Sequence, residues 1–241
     1  HGGVPTRRWR DRGRVVSDLA AVLAVARKDL LQELRSRAAT VATLFFTGTT
    51  LLMIAFALGR EQGVLERSAP GVLWVALVFA GVTAAAQSFQ ADLEDGALDH
   101  LLSYPVSRAA VYLGKMLAAW VYLGVLGLVL APVATTLYGA EVAGAGAALL
   151  LALTVVLGAF GFATIATFYA ALTANLQARE ALLPVLMFPV VVPIVLAAVR
   201  ATESVLGAAV GPVGDWLLLL AGFDLVYFVV CASLFHFVVD E

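Results

Sequence analysis

The sequence predicts an all-α integral membrane protein, with six transmembrane helices, an amphipathic interfacial helix before them and a short cytoplasmic coupling helix between the second and third. Three observations predict it. Hydrophobic residues make up 62% of the chain and charged ones 13%, at a mean hydropathy of +0.96, whereas soluble domains are nearer about 45–50% apolar. Six apolar runs each supply roughly the 20 residues that cross a hydrocarbon core about 30 Å thick. The basic residues are also concentrated, with nine of the 15 Lys and Arg in the first 37 positions.

The chain opens His-Gly-Gly-Val-Pro, as expected of a processed or truncated start, and residues 1–16 are set apart as a flexible basic N-terminus. Residues 17–241 are read as a single six-helix transmembrane domain. Ser17 to Arg37 has helical periodicity: Leu19, Leu23, Ala26, Leu30 and Leu34 fall on one face and Lys28, Gln32, Arg35 and Ser36 on the other. Such a helix lies in the interface plane with its cations toward anionic headgroups.

The six expected spans are Ala38 to Leu58, Gly71 to Phe89, Leu113 to Tyr138, Ala145 to Thr173, Ala181 to Val199 and Trp216 to Val239. They are expected to be helical, because lipid offers backbone amides no partner outside their own segment and barrel-type alternation is absent. An even number of spans places both termini on one side. With that side cytoplasmic, twelve basic residues lie inside and three, Arg60, Arg67 and Arg200, outside, in accord with the positive-inside rule. The outer connections, Gly59 to Pro70, Gly139 to Gly144 and Arg200 to Asp215, are too short to fold as a receptor domain. One cysteine, Cys231, excludes an intrachain disulfide and a Cys-based metal motif. The three histidines, His1, His100 and His236, are scattered, so no metal site is expected.

The charged island from Gln90 to Lys115 is the stretch where such a protein can meet a soluble partner. Asp92, Asp95 and Asp99 recur on one helical face, with Leu93, Ala97, Leu98, Leu101 and Leu102 opposite. Tyr104-Pro105 ends this short amphipathic helix, and Ser107 can cap the next. A solvated loop kept polar to stay out of the membrane is the plainer alternative, but it would not need the apolar face. The acids of Asp92-Leu-Glu-Asp-Gly96 are wrongly spaced for a calcium loop. Gly114-Lys115 invites comparison with the phosphate-cradling motif GxxxxGK[ST]. Ala109 stands where the first glycine belongs and Met116 where the magnesium-binding hydroxyl belongs, so a nucleotide is not held by that route. No HExxH or GxSxG motif offers another catalytic centre; catalytic residues are none.

Inside the spans, Pro189 and Pro193 each remove an amide, at the expense of the carbonyls of Val185 and Pro189, so the fifth span should kink or unwind. The kink is either static or a gating or subunit-interface feature. Ala159, Ala163, Thr167 and Ala171 form a small-residue stripe suited to close helix packing. Asp224 lies about 12 Å into the last span, where an unpaired carboxylate costs about 2.5–3.5 kcal/mol. It should face protein or water, either lining a path or dimer seam, or protonated or locally bonded near the outer interface. His236 is expected to anchor at the inner interface.

The pattern D-x-E-D-G-x-L-D-x-L-L-x-x-P-x-x-R followed by Gly-Lys resembles the cytoplasmic coupling region of ABC-2-type export permeases. Three further stretches, Ala26 to Arg35 (ARKDLLQELR), Ala69 to Ala76 (APGVLWVA) and Leu186 to Leu196 (LMFPVVVPIVL), occur in matching order and make the chain resemble the haem exporter protein B (CcmB) family. The resemblance spans residues 20 to 200. It implies an inner-membrane permease half-transporter that hydrolyses nothing itself. Two copies would pair with two copies of a separate ABC ATPase that binds ATP, alongside other haem-handling membrane subunits and a haem chaperone, with haem as the transported or remodelled species and no role for nucleic acid. By the same resemblance Asp92, Glu94, Asp95, Gly96, Leu98, Asp99, Leu101, Leu102 and Pro105 would rest in the ATPase groove. His100 and Ala119 depart from the family pattern, which has glutamine and histidine there. A generic ABC-2 permease for a lipid, drug or polysaccharide is the alternative.

Overall fold

The structure is a computed structural model that describes residues 8–35, 37–59, 61–94, 107–173, 179–208 and 211–238. The described residues form α1 (Arg8–Arg35), α2 (Arg37–Leu58), α3 (Gln62–Glu94), α4 (Arg108–Tyr138), α5 (Gly144–Thr173), α6 (Arg179–Val205) and α7 (Val213–Val238), with no strand among them. Helices α2 to α7 carry six segments long and apolar enough to span a membrane. The predicted spans therefore stand, with shifted ends.

The shifts have one cause: hydropathy marks the part of a helix that lipid requires, and the hydrogen-bonded ladder continues beyond it. α3 has 33 residues, about 50 Å at 1.5 Å per residue, against a hydrocarbon core of about 30 Å. Its first turns take up Gln62 to Pro70, expected as connection. At the other end it runs past Phe89 through Glu94 without interruption, so the first acidic residues of the island continue the span instead of starting a separate helix. α6 likewise runs on to Val205, and α1 starts at Arg8, ahead of Ser17.

The ends of α4 obey local chemistry. Ser107 has extended backbone (φ −67°, ψ 139°), and its hydroxyl accepts from the Ala110 amide at 3.3 Å, as expected of an N-cap. At the far end Gly139 adopts φ 70°, and the amides of Gly139 and Ala140 return to Thr136 and Thr135 at 3.3 and 2.9 Å. A left-handed residue is needed there, which favours glycine.

α5 is the centre of the bundle, packed against α3, α4, α6 and α7. Its small residues permit this: Ala159, Ala163 and Thr167 are buried, a Cβ at Gly158 would meet the Trp74 ring, and one at Gly161 would meet Asp224 and Ile194. The stripe read from sequence is thus a packing surface. Buried aromatics satisfy their polar ends across helices. Trp74 Nε1 donates to Thr202 Oγ1 at 3.0 Å, Trp120 Nε1 to Val156 O at 2.9 Å, Tyr112 OH to Thr164 O at 3.0 Å and Tyr138 OH to Leu51 O at 2.9 Å. α2 is peripheral, with Phe45, Phe46, Met53 and Phe56 outward and Leu51 buried.

α1 packs mainly along α4. Val25 and Ala26 are buried there, whereas Leu19 and Leu23 are 62% and 56% exposed. The single apolar face expected from periodicity therefore divides. One side grips the bundle and the other is open to lipid.

Candidate functional site

A cavity of about 180 Å³ lies where α1 crosses α3 and α4, lined by Asp29 and Glu33 of α1, Gln87 and Ser88 of α3, and Lys115 and Tyr122 of α4, among others. Its geometry begins with a glycine. A Cβ at Gly114 would stand 2.6 Å from Val25 Cβ and 2.9 Å from Val22 O, so α1 rests directly on the α4 backbone. Asp29 follows Val25 by one helical turn on the same face, which brings it to Lys115, the residue after the glycine.

Lys115 is 2% exposed. Its ammonium lies 3.1 Å from Asp29 Oδ2, 3.2 Å from Ser88 O and 3.0 Å from Ser88 Oγ, and 4.7 Å from the centroid of the Phe89 ring. Ser88 Oγ donates in turn to Asp29 Oδ2 at 3.1 Å, and Lys28 Nζ reaches the other carboxylate oxygen at 3.1 Å. An ammonium has three protons to place, and these are acceptors for them. Burial of a charge is tolerated on those terms; removing one partner from such a pair typically costs about 3–5 kcal/mol.

Glu33 sits one turn beyond Asp29. Burial pushes its carboxyl above the ordinary value, the facing Tyr122 hydroxyl works against that rise, and the charge of Asp29 adds to it. The buried Tyr122 hydroxyl completes no hydrogen bond of good geometry.

Of the residues expected to meet an ATPase, Asp92 and Glu94 belong to the last turn of α3, with side chains outside the description. Asp95, Gly96, Leu98, Asp99, Leu101, Leu102 and Pro105 lie outside the described residues, as does the break at Tyr104-Pro105. What is described are the ends that flank it: α3 stops at Glu94, Ser107 caps α4, and Lys115 bonds back to Ser88 between the two helices.

Pro189 and Pro193, with Pro184, fall within α6, which stays helical from Arg179 to Val205. The span expected to kink or unwind at these prolines is thus one continuous helix. Pro189 and Val185 lie on the exposed face of the single chain. Asp224 is 3% exposed, packed against Gly161 and Ile194, with neither carboxyl oxygen hydrogen-bonded. It faces protein, as expected, buried within this chain. The departure at Ala119 places a half-buried methyl on the wall of the polar cavity. Among the described residues no group of three or more His, Cys, Asp or Glu comes together.

Sequence reasoning missed Asp29, Ser88 and Lys115 as a unit. Lys115 was discarded with the failed nucleotide motif, although a cation at the edge of an apolar run already asks for a partner.

Six spans, four of them packed about a fifth, α5, with polar side chains gathered between α1 and the facing ends of α3 and α4, define a multi-pass α-helical membrane protein. The chain belongs to the CcmB family: the family model described as CcmB protein matches residues 20–238. It is similar to heme exporter protein B of Bradyrhizobium diazoefficiens, at 30% identity over 195 residues, covering 80% of this chain and 85% of that one. Heme exporter protein B of Rhodobacter capsulatus is 32% identical over 170 residues, covering 70% and 77%. That of Haemophilus influenzae is 29% identical over 182 residues, covering 76% and 81%.

Proposed function

We propose that this chain is the permease subunit of an ABC transporter complex acting in haem delivery for cytochrome c maturation. In this reading two copies of the chain sit in the inner membrane with both termini cytoplasmic. A separate ATPase, also in two copies, hydrolyses ATP, and the membrane subunits convert that work into export of haem or its release through a haem chaperone. The observation that carries the reading is membership of the CcmB family across residues 20–238. The geometry supports it: α3 ends at Glu94 and α4 begins at Arg108 beside α1, on the side richest in Lys and Arg, the side that faces the cytoplasm by the positive-inside rule.

Under this proposal Asp95 and Asp99 lie on the docking surface for the ATPase. Asp95→Lys combined with Asp99→Lys is expected to abolish co-purification of the ATPase subunit while the permease still accumulates in the membrane. Undiminished binding by that double variant would refute the docking surface. Deletion of the gene is expected to eliminate covalent c-type haem while b-type haem proteins persist; normal c-type haem staining would overturn the haem assignment in favour of another ABC-2 export substrate.

A further inference from the structure

Gly114-Lys115 is the one fragment of a nucleotide motif in the chain, and the structure gives it different work. Lys115 lies near the start of α4 and Ser88 near the end of α3, so their bonds of 3.0 and 3.2 Å clamp the end of α3 to the start of α4. The same ammonium holds Asp29 of α1 at 3.1 Å. Beside it Gly114 leaves no space between α4 and the Val22 to Val25 turn of α1. Three helices thus meet within two consecutive residues of α4.

We propose that the Gly114-Lys115 step is the joint through which displacement of the facing ends of α3 and α4 is passed to α1, with Lys115, Ser88 and Asp29 as positioning residues for the ATP-driven work of the complex. The inference rests on the permease function proposed above. Its physical basis is stiffness. Close-packed contacts do not stretch, and a charge pair away from water resists separation far more than a solvated one. A push on the facing ends of α3 and α4 therefore moves both of them and α1 together. Leu19 and Leu23, on the open side of α1, allow it to slide along lipid as it follows.

A plain structural staple would affect abundance and ATPase binding together; a joint separates binding from output. The experiment uses the full complex with its ATPase in membranes, comparing wild type with Lys115→Met, the milder Ser88→Ala, and the swap of Asp29→Lys with Lys115→Asp. Lys115→Met is expected to keep ATPase co-purification and to hydrolyse ATP within about twofold of wild type, while covalent c-type haem falls by about tenfold or more, within the range of ordinary site-to-site coupling. Ser88→Ala should show a smaller fall, and the swap should recover part of the output. In parallel, spin labels at Leu19 in α1 and Leu225 in α7, both exposed, should change separation on addition of MgATP in wild type but not in Lys115→Met. Wild-type output from both Lys115→Met and Ser88→Ala, or an unchanged ATP-driven label shift in Lys115→Met, overturns the joint. If Lys115→Met does not accumulate, Ser88→Ala decides the matter by the same readouts. A wild-type complex that binds no ATPase would overturn the function on which the joint rests, a distinguishable result.

Discussion

Glu33 and Asp29 stand one turn apart on α1 and share a cavity wall, yet they are treated differently by it. Asp29 has Lys115 and Ser88 within 3.1 Å, whereas Glu33 is pushed above its ordinary value of 4.5, chiefly by burial. The sign of the consequence is fixed by linkage. Between 4.5 and the raised value the folded protein holds a proton that the unfolded chain has released, so stability falls as pH rises through that window and does not return above it. Glu33→Gln should therefore flatten the pH dependence of the thermal midpoint of the detergent-solubilised protein above pH 4.5. A variant that kept the wild-type slope would show that Glu33 is not its source. Neither role was legible in the sequence, where both residues belong to an ordinary charged helix. Burial by α3 and α4 is what separates them.

At the scale of elements, α5 shows how a helix apolar on all sides becomes the hub. Its sequence announced close packing through Ala159, Ala163 and Thr167, but it did not say which neighbours would arrive at the glycines. They are Trp74 of α3 over Gly158, and Asp224 of α7 with Ile194 of α6 over Gly161. Gly161→Ala should cost about 1–3 kcal/mol, as overpacking does. Combined with Asp224→Ala it should lose about 1 kcal/mol less than the two single changes together, because contacting sites are not additive. Detergent unfolding of the four proteins measures the cycle, and strict additivity would mean that the carboxyl is not what fills the notch. At the same scale, Pro189 and Pro193 remove hydrogen bonds inside a continuous α6, since a nonhelical stretch in lipid would release more amides than the prolines already have.

For the whole molecule, six spans put α1 with the facing ends of α3 and α4 at one end and Glu141 at the other. The distribution of Lys and Arg predicts that the first end is cytoplasmic. In a Cys231→Ala background, a cysteine at Glu141 should react with an impermeant maleimide on spheroplasts, and one at Arg27 only after permeabilisation. Both sites are exposed polar positions, whereas Cys231 is buried. The reverse labelling pattern would invert the topology and place the acidic segment out of reach of a cytoplasmic ATPase.

The sequence by itself determined the class, the number and order of the spans, the cap at Ser107 and the kinship carried by ordered landmarks. Each of these depends on residues near one another in the chain, or on lipid, which acts on every segment in the same way. Tertiary structure alone decided the rest. Asp29, Ser88 and Lys115 are separated by 59 and 27 residues, and no local period links them. Lys115 at the edge of a span would be solvated were α1 elsewhere. Its burial, and with it the joint between α1, α3 and α4, exists because Gly114 lets α1 approach closely enough to exclude water.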